Sequence, residues 1–340
     1  STRQSVRIFA NSTTNTGALN ISGGDFTGRV IVQNASAKAN KAALNITGGT
    51  FNANDYKTDV LYVGGSSSAE IDINASVSGG TFKGEITDTN VKGFITGGTF
   101  DKLIDETVLA MGYQLTGDAA PYTVAYTGKV TKLELVDGEV TEFVNEKEIT
   151  VGTLTYKRSN IKNTWTPFYV PFAVPVSALA DKFDVAYIND VRRTDSDDDG
   201  ELDKFSMEII YIHGGNANGS AKTLKANYPY FIRSKSGVAE MEITLTNAKV
   251  YAKEKVFDCT TMTEKFEIKG NYHQIPSDKF GENDYVVGGG VWGNITAGYP
   301  LNPFRFYMTK SSRYEDEPAA PMQSLRIIVC GEEDENGATI

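Results

Sequence analysis

The sequence predicts an all-β chain in two parts, a short right-handed parallel β-helix (β-solenoid) followed by a β-sandwich domain. Three observations predict it. A six-residue pattern returns four times in the first hundred residues. Beyond residue 148, short apolar runs alternate with turn residues. The composition also suits strands, with 33 Gly, 17 Tyr and 17 Phe in 340 residues. The expected organisation is repeats with a C-terminal helix and hairpin cap over 1–127, a linker hairpin over 128–147, the sandwich over 148–333 and an acidic tail over 334–340.

The repeat is Ile21-Ser-Gly-Gly-Asp-Phe26, returning as Ile46-Thr-Gly-Gly-Thr-Phe51, Val77-Ser-Gly-Gly-Thr-Phe82 and Ile95-Thr-Gly-Gly-Thr-Phe100, at spacings of 25, 31 and 18 residues. Periods of this size suit one solenoid coil each. Leu19 and Ile21 alternate with Asn20, and Leu44 and Ile46 with Asn45, so a period-two strand turns the aliphatic groups inward and the amides outward. The glycine pair supplies the corner, because glycine accepts positive φ and close backbone approach. The next Phe is then expected to stack on the Phe of the neighbouring coil, giving an inner column of Phe26, Phe51, Phe82 and Phe100. Second strands are expected at 30–33 and at 60–63, the latter after a short insertion at 52–58. The competing reading places Gly-Gly-Thr-Phe at the corners of successive antiparallel hairpins, although such corners favour Asn-Gly or Asp-Gly.

Residues 101–110 carry Leu103, Ile104, Val108 and Leu109 at helical spacing with early acidic residues, which predicts a short helix ended by Gly112. Residues 113–115 and 122–126 read as a hairpin. Together they are expected to cap the stack, since an uncovered strand edge invites further pairing. The chain starts inside what reads as a coil at 5–10, so the natural sequence is expected to continue upstream. Asp137-Gly138 predicts a hairpin between 133–136 and 140–143. Strands are then expected at 149–156, 168–172, 183–188, 205–213, 230–233, 239–246, 266–272, 285–288, 304–309 and 324–329, with one helical turn at 177–182. Strands at this spacing suggest a sandwich.

Net charge bounds the partners. The chain carries 33 Lys and Arg against 43 Asp and Glu, a formal charge of −10, which argues against nucleic acid and anionic membrane surfaces as partners. No apolar run approaches the roughly 18 to 20 residues of a membrane span, and residues 1–20 are polar and contain no export signal.

Four motifs carry a resemblance. Trp165-Thr-Pro-Phe-Tyr-Val-Pro-Phe172, Leu224-Lys-Ala-Asn-Tyr-Pro-Tyr-Phe-Ile-Arg233, Gly289-Gly-Val-Trp292 and Phe304-Arg-Phe-Tyr307 resemble the C-terminal domain of Bacteroidetes surface or secreted proteins described as adhesins. The repeats are similar to stalk modules of bacterial surface proteins. The resemblance implies an exported, extracellular or cell-surface protein, with a β-helix followed by a β-sandwich and no enzymatic activity. The expected role is adhesion or the binding of a glycan or protein ligand. The alternatives are a carbohydrate-binding module of a larger polysaccharide-degrading protein, and a β-helix polysaccharide lyase or hydrolase.

The sharpest local motif is a calcium candidate. Asp195, Asp197, Asp199, Gly200 and Asp203 occupy positions 1, 3, 5, 6 and 9 of a calcium-loop pattern. Position 12 is Ser206 rather than a bidentate Glu, and both flanks read as strands, so the expectation is a looser calcium turn or a solvated acidic hairpin tip. His213 and His273 have no nucleophile or orienting partner in any motif and read as structural. Cys259 and Cys330 are open to a disulfide or to two buried thiols. Asp25, Asp55, Asp72, Glu85 and Asp88 fall at unmatched positions in their repeats, which argues against paired carboxylate catalysis. Trp165, Tyr169, Tyr228, Tyr230, Trp292, Tyr299 and Tyr307 are either a sugar platform or core, and Trp165 and Trp292 read as core. Ligand contacts are expected on loops such as 214–220 and 311–321.

Overall fold

The computed structural model describes residues 4–10, 16–34, 42–65, 73–88, 91–140, 142–145, 147–194, 204–213, 221–258, 266–295, 298–310 and 325–329. The chain is all-β, 59% strand, with no helix of seven or more residues among the described residues. It divides into two compact units, Ser1–Val130 and Thr131–Ile340.

The first unit contains Gln4–Ala10 (β1), Gly17–Ile21 (β2), Asp25–Thr27 (β3), Arg29–Asn34 (β4), Ala42–Ile46 (β5), Thr50–Asn52 (β6), Asp59–Gly65 (β7), Asn74–Val77 (β8), Thr81–Lys83 (β9), Glu85–Asp88 (β10), Thr99–Phe100 (β11), Tyr113–Thr116 (β12) and Tyr122–Tyr126 (β13). They are laid down in rotation on three sheets. β1, β4, β7 and β10 make one, β2, β5 and β8 a second, and β3, β6, β9 and β11 a third, every one of these pairings being parallel. One rung is therefore a strand from each sheet: β2–β3–β4, then β5–β6–β7, then β8–β9–β10. Parallel pairing of the repeats excludes the antiparallel-hairpin alternative.

Register turns the repeat into columns. Phe26 pairs with Phe51, Phe51 with Phe82, and Phe82 with Phe100. Neighbouring parallel strands lie about 4.7–4.9 Å apart, so like rings in like rotamers stack. Successive ring centroids are 5.1, 4.7 and 4.9 Å apart, within 9° of parallel. Phe51, Phe82 and Phe100 are fully buried, and Phe26, on the first rung, partly so. A second column runs Ile21, Ile46, Val77, Ile95 and Leu109, extended beyond β8 by two parallel bridges.

The glycine pair does two jobs. Its second member sits at φ of +100° to +112° in all four copies (Gly24, Gly49, Gly80 and Gly98), a conformation that glycine takes without strain. Its first member lies on the rung beneath. A Cβ at Gly48, Gly79 or Gly97 would come within 2.6, 2.4 or 2.3 Å of the carbonyl oxygen of Ser22, Thr47 or Ser78, whereas one at Gly23 would meet nothing within 4 Å. Gly79→Ala is accordingly expected to cost about 1–3 kcal/mol through forced backbone shifts, and Gly23→Ala about 0.5 kcal/mol or less. Equal urea midpoints for the two variants would contradict the stacking account.

The expected helix over 101–110 is not formed. The segment contains one 3-10 turn, Glu106–Val108, capped by the Asp105 carboxylate accepting from the Thr107 amide at 2.8 Å. Leu103 is 72% exposed, while Leu109 joins the aliphatic column. Pairing to the rung below outcompetes local helical spacing. The expected hairpin is present as β12 and β13, and β13 runs antiparallel to β11, so it ends the parallel ladder of that sheet.

In the second unit, Lys129–Val136, Ile149–Ile161 and Ala239–Val250 form a three-stranded sheet in that order. A ten-stranded sheet runs Thr166–Phe168, Tyr230–Ser234, Phe183–Thr194, Lys204–His213, Leu325–Val329, Val291–Gly293, Asp284–Gly288, Arg305–Lys310, Phe266–Asn271, Val256–Asp258. The Asp137-Gly138 hairpin is a correction. Residues 133–136 belong to the strand beside Ile149–Ile161, Val140 bridges to Asp137, and Glu142 bridges to His273. The strand expected at 168–172 instead spans Thr166–Phe168.

Aromatic packing fills this unit. Tyr156 meets the rings of Phe168, Phe172 and Phe304 edge-on at 5.5–6.1 Å. Gly270 lies under Tyr169 so closely that a Cβ would sit 2.0 Å from its ring. Burial is the first cause that pushes the phenols of Tyr156, Tyr169, Tyr230, Tyr272, Tyr285 and Tyr307 above their ordinary range. A phenol raised on folding contributes stability that is complete below its unfolded value, near 10, and is lost as pH rises through the folded value. The melting temperature is therefore expected to fall steeply above about pH 10, with tyrosinate absorbance appearing together with unfolding. Titration of these phenols near pH 10 in a chain that stays folded would contradict that burial.

Candidate functional site

The corner between the third and first sheets is where one rung differs from its neighbours. Between β3 and β4 it is one residue, Gly28, and between β9 and β10 it is Gly84. Between β6 and β7 it is residues 53–58, so at this corner a loop stands in place of the single glycine of the neighbouring rungs.

That loop is held from three directions. The Gly28 amide donates to the Asn52 carbonyl at 2.9 Å, the Ala53 amide to Lys83 at 3.0 Å, and the Glu85 amide to Thr58 at 2.9 Å. Its tip closes on Asn54, whose side-chain oxygen accepts from the amides of Tyr56 and Lys57 at 3.0 Å each. Such an Asx turn fixes the loop without help from outside. Gly84 lies beneath, where a Cβ would come within 2.5 Å of the Thr58 carbonyl oxygen.

Loop and rungs border an open, shallow groove of about 490 Å³ lined by Arg29, Asn54, Asp55, Tyr56, Lys57, Thr58, Asp59, Glu85 and Thr87. Arg29, Asp59 and Glu85 are each the first residue of their strands, and Glu85 pairs in register with Asp59. Arg29 donates to Asp59 at 2.7 Å and lies over the Tyr62 ring at 5.3 Å. Thr58 donates its hydroxyl to Glu85 at 3.1 Å. Tyr56 stands at the loop tip, 57% exposed. One aromatic side chain and a set of hydroxyl, amide, ammonium and carboxylate groups thus line the same groove.

A second cluster of ionised groups is sealed inside the second unit. The Asp137 carboxylate accepts two bonds from Arg305, at 2.6 and 3.1 Å, and one from the Tyr156 hydroxyl at 2.9 Å, with Arg158 Nε at 3.5 Å. Arg158 also donates to the Pro167 carbonyl and the Thr166 hydroxyl at 2.8 Å each. Burial works against the Arg305 charge, but Asp137 outweighs it and the net direction is up; burial, then Arg305, lowers Arg158. The Asp137 side chain is 2% exposed, so this cluster is a buried clasp closing a turn.

The expected site residues fall elsewhere. Asp195, Asp197, Asp199 and Asp203 lie outside the described residues, as do Cys259, Cys330 and the loops 214–220 and 311–321; the strands flanking the acidic stretch pair antiparallel, Thr194 with Lys204. Among the described residues no group of three or more His, Cys, Asp or Glu is placed to hold a metal ion. His213 Nε2 lies 3.0 Å from the Ala180 carbonyl oxygen, and His273 Nδ1 lies 3.2 Å from Glu254. Of the aromatic candidates, Trp165, Tyr169, Tyr230 and Trp292 are buried, Tyr228 and Tyr307 half-buried, and Tyr299 is 71% exposed, so they form no common platform.

Arg29, Tyr56 and Asp59 are residues that sequence reasoning missed, and Glu85 was set aside as unmatched. The available signal was the six extra residues between the second and third repeats, since an insertion in a repeat maps to a loop on one face, often the binding face. No family model, curated protein or solved structure matches the chain. No helix among the described residues is long and apolar enough to cross a membrane.

Proposed function

We propose that the chain is a non-catalytic extracellular surface protein that binds glycan in adhesion, its first unit a short right-handed parallel β-helix and its second a β-sandwich. The rotation of strands over three parallel sheets supports the first assignment, and the four motifs between Trp165 and Tyr307 that resemble Bacteroidetes surface adhesins support the setting. The observation that carries the binding role is loop 53–58, which stands at a corner that the rungs on either side turn with one glycine each, Gly28 and Gly84, and which brings an exposed Tyr56 to the lining of a polar groove. Stacked rungs supply rigidity, and the insertion supplies contacts.

A glycan array run beside an activity screen on plant and mucin polysaccharides tests this reading. The expected result is array binding without product release, weakened at least about tenfold in Tyr56→Ala, as removal of an aromatic anchor weakens a small interface. Product release from any polymer, or binding unchanged in Tyr56→Ala, would overturn it.

A further inference from the structure

We infer that the groove selects uncharged hexopyranose chains and turns away acidic ones, the uronates, sialates and sulfated sugars. This rests on the glycan-binding reading above and deepens it. Five ionised groups line the groove, and two of them cancel: Asp59 takes up the Arg29 guanidinium at 2.7 Å. Lys57, Asp55 and Glu85 remain on the lining, none of the three in an ion pair among the described residues, which leaves the groove one negative charge on balance within a chain of net charge −10.

An acidic sugar entering here meets two carboxylates and one ammonium, while Arg29, the cation best shaped to grip a carboxylate or sulfate in two bonds, already gives Nη1 to Asp59, is backed by Tyr62 and has its Nε buried. A neutral sugar meets no such repulsion. Its hydroxyls donate to Asp55 and Glu85 while its ring covers Tyr56, and carboxylates accept from neighbouring hydroxyls with two oxygens each. Selectivity of this kind comes from the repulsive element as much as from the contacts.

The test is calorimetric titration of the 340-residue chain at low and high salt, with a β-glucan and a galactomannan as neutral probes and polygalacturonate and chondroitin sulfate as acidic ones. At low salt the neutral probes are expected to bind at least about tenfold tighter, with the gap narrowing as salt screens the carboxylates. The double variant Asp55→Asn/Glu85→Gln is expected to raise the acidic-to-neutral affinity ratio about tenfold. Acidic probes that bind as tightly as neutral ones, and lose that binding in Tyr56→Ala, would overturn the selectivity while leaving the groove as a glycan site. Absence of binding to every probe, or binding indifferent to Tyr56→Ala, would overturn the site itself. A neutral preference that the double variant does not move would overturn the role given to Asp55 and Glu85.

Discussion

Phe82→Ala is expected to destabilise the first unit by about 3–5 kcal/mol, the usual cost of emptying a buried phenylalanine site. Phe82 is one of the two interior members of the column, sandwiched between Phe51 at 4.7 Å and Phe100 at 4.9 Å, and fully buried. Its removal takes away both ring contacts and leaves a gap that the rungs cannot close, because their spacing is fixed by hydrogen bonds such as Thr81 to Gly49 and Thr99 to Gly80 at 2.8 and 2.9 Å. Phe26 provides the internal comparison. It has one stacked neighbour and is only partly buried, so Phe26→Ala is expected to cost about half as much. Urea unfolding followed by far-ultraviolet circular dichroism measures both, and equal costs would show that the column has no interior.

The second large effect is expected at Asp137. Asp137→Ala removes the carboxylate that Arg158 and Arg305 share, the only one in contact with either among the described residues, and leaves two largely buried guanidinium groups uncompensated. Breaking a buried pair in this way costs about 3–5 kcal/mol, much of it the penalty of the charges left behind. The turn backbone itself survives, since the Asp137 amide donates to the Lys157 carbonyl at 2.8 Å whatever side chain it carries. Both tryptophans, Trp165 and Trp292, lie in this unit, so their emission reports its unfolding. Adding Arg305→Met to Asp137→Ala is expected to recover part of the loss by removing one uncompensated charge. A double variant no more stable than Asp137→Ala would contradict an electrostatic origin.

These two sites mark where the sequence was and was not legible. The phenylalanine column could be read because its members recur in one short motif, and stacking of like residues is a nearest-neighbour effect. The β12–β13 hairpin and most strands of the second unit were readable for the same local reason, from runs of apolar residues between turns. Asp137-Gly138 misled because it carries a strong local hairpin signal, while its carboxylate is claimed by Arg305, 168 residues away. Residues 101–110 misled in the same manner: helical spacing of four apolar residues lost to a parallel bridge between Leu109 and Ile95. The groove was half legible. Unequal repeat lengths announce an insertion, but nothing local says that Arg29 and Glu85, from the rungs on either side, will line one groove with it.

Replacing residues 53–58 by a single glycine tests the central claim most directly, because it gives the middle rung the corner its neighbours already have. A binding loop set on rungs that need only one glycine at this corner predicts that the variant melts within a few degrees of the unaltered chain and loses glycan binding. Glycan binding that survives the excision would contradict the account.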